Sequence, residues 1–168
     1  MRKLFTIFAL LLLTVGFAYG QERSVQVDCY FFGLSNRIIL DWSDGTLRWS
    51  VYRGVGHSCD EEHSCYEEVI APSRLSITTD RGVWGEGIES AEVERFDGEK
   101  YDGAIINFGD YSVELLSHVD GVAYRFISNI EGDYKIVDEL AEFSFNERDN
   151  AWIPYVNFRP DATPDYAT

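Results

Sequence analysis

Thr46-Leu47-Arg48-Trp49-Ser50-Val51-Tyr52 places an apolar residue at every second position. In an extended strand neighbouring side chains leave opposite faces, so Leu47, Trp49 and Val51 share one face while Arg48 and Ser50 share the other. The stretch reads as a strand with one buried and one wet face. Just before it, Ser43-Asp44-Gly45 separates it from a second β-rich run at 37–42. Asp-Gly supplies the positive φ that tight hairpin turns require, so the two runs predict a hairpin. The pattern recurs further along: 91–96 and 104–108 flank a loop opened by Asp97-Gly98, and 111–119 and 122–128 flank Asp120-Gly121. After Gly20 no 12-residue window sustains an apolar stripe at i, i+3, i+4, i+7; the best helical candidate, 138–142, is short and runs straight into Phe143-Ser144-Phe145. Regularly spaced strands with turn signals predict an all-β chain, an antiparallel β-sandwich or barrel.

The amino terminus reads differently. Arg2 and Lys3 precede an apolar run at 4–17, which ends in Ala18-Tyr19-Gly20, a small-x-small cleavage pattern. The run is shorter than the roughly 20 residues that a spanning helix needs. Residues 1–20 are therefore expected to be a cleaved signal peptide, and the remainder to be exported to the periplasm or beyond it, with no membrane partner after cleavage. Because residues 1–20 hold two cations and no acid, their removal takes the formal charge from −15 to −17. Such a field repels phosphate backbones and anionic lipid, which argues against nucleic acid as a partner. Three cysteines in an oxidising compartment allow at most one internal disulfide.

Five stretches, in order, carry a resemblance: Ala71-Pro72-Ser73-Arg74-Leu75-Ser76-Ile77, Gly85-Glu86-Gly87, Asp120-Gly121-Val122-Ala123-Tyr124-Arg125-Phe126, Asp138-Glu139-Leu140-Ala141-Glu142-Phe143 and Ala151-Trp152-Ile153-Pro154. Together they resemble the amino-terminal β-sandwich domain of glycoside hydrolase family 97. The resemblance implies a galactose mutarotase-like supersandwich over residues 21–158, followed by a loose tail at 159–168. It also implies coupling to a (β/α)₈ barrel that hydrolyses α-glucosides or α-galactosides with calcium assistance. A barrel takes about 250 residues, whereas this sequence ends 14 residues after Pro154. The catalytic carboxylates of the family's barrel have no counterpart here, and the sandwich itself is expected to be truncated.

Three groups of residues are candidates for function. By position in the Asp138–Glu142 motif, the resemblance puts a calcium-binding role on Glu139, with Asp138 and Glu142 as neighbours; the alternative is a solvated acid. Calcium takes six to eight oxygen ligands, so the ion is expected only with a partner barrel. Separately, His57-Ser58-Cys59-Asp60-Glu61-Glu62 is followed at once by His63-Ser64-Cys65-Tyr66-Glu67-Glu68. His57, Cys59, His63 and Cys65 supply nitrogen and sulfur ligands suited to zinc or copper. The alternatives are a Cys59–Cys65 disulfide or a plain solvated insertion in a hairpin loop before Pro72. Finally, aromatic faces stack on sugar rings. Most strand aromatics are core, so Trp84, in the glycine-flanked stretch 82–87, and Trp152 are the expected carbohydrate-binding residues.

Ser117-His118-Val119-Asp120 holds the residue types of a hydrolytic triad, but neighbours on a strand face opposite ways. Glu86 with Glu89, and Glu92 with Glu94, lack the two differing environments across a cleft that glycosidase acids need, and are expected to be solvated. The expected function is a non-catalytic carbohydrate-associated module with an α-linked oligosaccharide ligand. The alternative is an exported protein-interaction or structural sandwich that uses its exposed strand edges to meet a catalytic barrel or another protein.

Overall fold

A computed structural model describes residues 22–31, 34–54 and 66–147. The residues assigned above to the signal peptide, the His57–Cys65 candidate metal or disulfide loop, Trp152 and the carboxy-terminal tail lie outside the described residues.

The chain forms two antiparallel sheets facing each other, as an all-β sandwich. The larger takes β1 (Ser24–Phe31), β2 (Leu34–Asp41), β3 (Arg48–Gly54), β4 (Tyr66–Thr79) and β10 (Ile136–Ala141) in that order, with the short β5 (Gly82–Trp84) also on β4. The smaller runs β6 (Glu92–Asp97), β7 (Tyr101–Asn107), β8 (Tyr111–His118) and β9 (Gly121–Ser128). The faces of β1 and β2 pack over β7, β8 and β9.

All three expected hairpins form: β2 pairs β3, β6 pairs β7 and β8 pairs β9. Only Gly45 among their Asp-Gly glycines has a positive φ, at 80°. There the Asp44 side chain closes the turn, its Oδ1 accepting from Thr46 N at 2.9 Å and its Oδ2 from Arg48 at 2.9 Å. The Thr46 N–H first, and the Arg48 guanidinium second, hold the Asp44 carboxyl below its usual value. Gly121 instead opens β9 after the two turn residues Val119 and Asp120, and Gly98 turns with its N–H on Tyr101 O at 2.8 Å. A fourth hairpin, between β7 and β8, turns at Gly109 with φ 92°.

The period of two sets the core. Leu47, Trp49 and Val51 are buried, as are Ile38 and Leu40 on β2 and Tyr111, Val113 and Leu115 on β8. Each fully buried Leu or Val side chain contributes about 1.5–3 kcal/mol. Ser50, expected on a wet face, is buried too. The β3–β4 register shifts between Trp49↔Ser73 and Val51↔Ile70, so Ala71 and Pro72 bulge opposite Ser50. That bulge also explains how Pro72, which has no N–H for the ladder, sits inside a 14-residue strand. β3 and β4 pair as a hairpin up to Gly54↔Tyr66, so Tyr66-Glu67-Glu68, the end of the second copy of the hexapeptide, already belongs to β4.

Residues 138–141 lie in β10, where Glu139 pairs with Ile77 and Leu140 with Ser76, so the weak helical candidate there yields to strand in an all-β chain. One further expectation is corrected: Trp84 is core, with only 5% of its surface exposed. Pairing Ile77↔Trp84 draws the ring inward, where it stacks on Tyr111 at 5.3 Å and meets Tyr134 and Phe126. A ring so enclosed offers no face to a sugar.

Tyr111 closes this end of the sandwich. Its hydroxyl oxygen accepts from Gly85 N at 2.9 Å, while burial pushes its pKa up to about 12 against a smaller opposing pull from that N–H. A pKa raised in the folded state means that the native protein holds its proton longer than the unfolded chain. The associated stability is complete below the unfolded value near pH 10 and is lost as pH rises towards 12. Alkaline unfolding is therefore expected to steepen across that window, and Tyr111→Phe to flatten it. The same variant leaves the buried Gly85 N–H unpaired, at a cost of about 1–3 kcal/mol. Chemical denaturation at a series of pH values checks both.

Candidate functional site

The two sheets do not end together. Among the described residues the smaller sheet ends on one side at β9 and has no strand beyond it, while the larger runs on through β4 to β10, whose described partner is β4. Trp49, on β3, is the ground beneath this open side: its ring lies 4.9 Å from that of Tyr124 on β9 and 5.2 Å from that of Phe143 just past β10. The Trp49 indole N–H donates to the Glu142 carbonyl at 3.0 Å and so ties β10 down.

Phe143 is 54% exposed although its edge rests on Trp49, and Phe145 is 40% exposed. Tyr124 is half-buried, and Glu139 is exposed. Burial first, and the charge of Glu139 second, raise the Tyr124 hydroxyl above its ordinary pKa, which places that carboxylate within electrostatic reach of Tyr124. The three acids of the motif differ in what they do. Glu142 Oε2 accepts from Arg74 N at 2.9 Å, and Asp138 Oδ1 accepts from Glu139 N at 2.9 Å. The Glu139 carboxylate makes no hydrogen bond or ion pair with a described residue. Chemically, the open side therefore offers an aromatic face, a phenol and a solvated acceptor.

Among the described residues no three His, Cys, Asp or Glu side chains come together in metal-binding geometry. One carboxylate supplies at most two of the six to eight oxygens that calcium takes.

Elsewhere the polar groups of the triad-like stretch and of its neighbouring cleft are engaged within the fold. A cleft of about 530 Å³ opens at the other end between Leu34, Val69 and Val122. Its Asn36 amide donates to His118 O at 2.8 Å and Val119 O at 3.1 Å, holding the β8–β9 turn rather than facing a ligand. Ser117 is fully buried with its hydroxyl donating to Asn36 O at 2.9 Å. His118, on the opposite face of β8, accepts from Asp120 N through Nδ1 at 3.2 Å. These two residues cannot act as a nucleophile and its base. Trp42 and Trp49 are buried like Trp84, so all three described tryptophans belong to the core. Cys29 is a free, buried thiol donating to Lys100 O at 3.2 Å; burial, and then the charge of Asp102, raise its pKa.

With this geometry in view, the comparisons narrow the kinship. The chain is similar to a retaining α-galactosidase of Bacteroides thetaiotaomicron, 26% identical over an alignment of 136 residues that covers 70% of this chain and 20% of that enzyme. The chain thus spans about a fifth of its relative's length. No family model matches it, and no solved structure does. The chain is a β-sandwich distantly related to part of an α-galactosidase.

Of the residues named from sequence, Glu139 lies on the open side and Trp84 does not. The residues that sequence reading passed over there are Phe143 and Tyr124. For Phe143 the signal was the alternation Phe143-Ser144-Phe145, an extended pattern that the structure realises past the end of β10 as an isolated bridge between Ser144 and Ala71.

Proposed function

We propose that this chain is a non-catalytic, carbohydrate-associated β-sandwich, exported by its amino-terminal segment, that binds an α-linked oligosaccharide on the open side beside β10. The observation that carries this reading is the conjunction of an exposed Phe143 ring and a Glu139 carboxylate with no partner among the described residues. A sugar ring has apolar C–H faces and a rim of hydroxyls, and that pair meets both. The relation to part of an α-galactosidase supports an α-galactoside as the first ligand to try.

Calorimetric titration of residues 21–168 with α-linked galacto-oligosaccharides is expected to give a dissociation constant of about 0.1–1 mM, typical of a small exposed site. Phe143→Ala is expected to weaken it about tenfold, corresponding to a stacking contribution near 1.4 kcal/mol. Glu139→Gln keeps an acceptor and should weaken it less. Absence of heat at about 10 mM sugar, where even a weak site of this kind is filled, would remove the reading.

A further inference from the structure

An aspartate followed by glycine is where a chain most readily attacks itself. With no Cβ on the second residue, the peptide turns easily and its nitrogen reaches the carboxyl carbon of the aspartate to close a succinimide ring. The sequence holds four such steps: Asp44-Gly45, Asp97-Gly98, Asp102-Gly103 and Asp120-Gly121. Glycine follows all of them, so the residues alone give them equal standing. The fold does not.

Three are restrained. The Asp44 carboxylate accepts from Thr46 N and from Arg48, which hold it below its usual pKa and so deplete the neutral acid that sheds water. The Gly45 N–H is engaged as well, on Trp42 O at 2.9 Å. Asp102 lies within β7, between Asp97 on β6 and Ser117 on β8, and the Phe96 ring roofs Gly103, 2.2 Å from where a Cβ would stand. Gly98 donates to Tyr101 O at 2.8 Å, and the Tyr101 ring covers it as closely, 2.4 Å from an added Cβ. Each restraint opposes the rotation that ring closure requires.

Asp120 is different. It stands in the β8–β9 turn with 84% of its side chain exposed. Gly121 pairs with His118 on the last rung of the ladder, and an added Cβ there meets nothing within 4 Å. Loop tips and terminal rungs open at the lowest free-energy cost. Beside the carboxyl, His118 Nδ1 lies 3.5 Å from Asp120 Oδ2.

We propose that Asp120-Gly121 is a site of spontaneous aspartate isomerisation in the folded protein, with His118 protonating the departing oxygen. Gly121 N forms a bond to Asp120 Cγ and gives its proton to solvent. The Cγ–O bond breaks, and its hydroxyl leaves as water with the proton of the imidazolium, which solvent then restores. A water molecule next adds to one ring carbonyl. Addition at Cγ returns aspartate, whereas addition at the main-chain carbon gives isoaspartate, with no atom gained or lost overall. The main chain then runs through the Asp120 side chain and is longer by a methylene. That lengthens the turn whose carbonyls, His118 O and Val119 O, the Asn36 amide holds at the mouth of the cleft. This inference is independent of any sugar ligand.

The test is to keep the purified chain for weeks in warm neutral buffer and map its peptides by mass spectrometry with electron-transfer fragmentation, which separates the two linkages. Isoaspartate is expected at Asp120 about tenfold ahead of the other three steps, in line with its easier local opening. In denaturant the four rates should become comparable, which shows that the fold makes the selection. His118→Gln, a change at an exposed turn, is expected to slow Asp120 about threefold in the folded protein, less than the ~100-fold of a fully positioned acid. Its rate in denaturant should stay unchanged. Equal accumulation at the four steps in the folded protein overturns the proposal, as does preference for another step or an Asp120 that reacts only in denaturant. An unchanged folded-state rate in His118→Gln overturns the part given to the imidazole.

Discussion

Trp49→Ala is expected to be the most damaging single substitution, lowering stability by about 3–5 kcal/mol. The indole is 4% exposed and touches both sides of the opening, Tyr124 on β9 and Phe143 past β10. Truncation leaves a cavity between the sheets and an unsatisfied Glu142 carbonyl where the indole N–H had donated. Because a folded domain holds only about 5–15 kcal/mol in total, the loss is a large share of the whole. Denaturant titration should show the midpoint falling. Trp49→Phe, which keeps a ring but not the N–H, should recover most of the packing and leave the β10 tether weakened.

Gly85→Ala is expected to cost about 3 kcal/mol, for two reasons that act together. The backbone there has φ +94°, a conformation that disfavours any side chain, and an added Cβ falls 2.4 Å from the Leu75 carbonyl oxygen. The residue cannot move away freely. Its N–H is held by the Tyr111 hydroxyl and its carbonyl accepts from Leu47 N at 2.8 Å. Gly87→Ala, also at positive φ but with open space around the added Cβ, should cost only the conformational part, about 1 kcal/mol. The difference between the two variants, read by thermal unfolding, isolates the steric contribution.

Much of the sandwich was legible because its information is local. Alternating Leu47, Trp49 and Val51 specified a buried face, and Asp-Gly steps separated strands that do pair. What was not legible depended on pairing between distant segments. The stretch 138–142 is too short and too acidic to declare itself as strand, and it is Ile77 and Ser76 that supply the edge on which Glu139 and Leu140 pair. Trp84 looks exposed because glycines flank it, yet β5 adds to β4 and turns the ring under Tyr111. The candidate site was half legible for the same reason. Glu139 was named from a resemblance, while the exposure of Phe143 and the partial burial of Tyr124 follow from the larger sheet outrunning the smaller one. No periodicity in a single strand encodes where the opposite sheet stops.

The reading of the open side as a sugar-binding surface is tested most directly by mapping amide shifts of the 21–168 chain during titration with an α-linked galacto-oligosaccharide. The account predicts saturable shifts confined to Tyr124, Glu139, Glu142 and Phe143 and their neighbours, abolished together by Phe143→Ala. Shifts that cluster instead around Leu34, Val69 and Val122, or a spectrum unmoved by sugar, would contradict it.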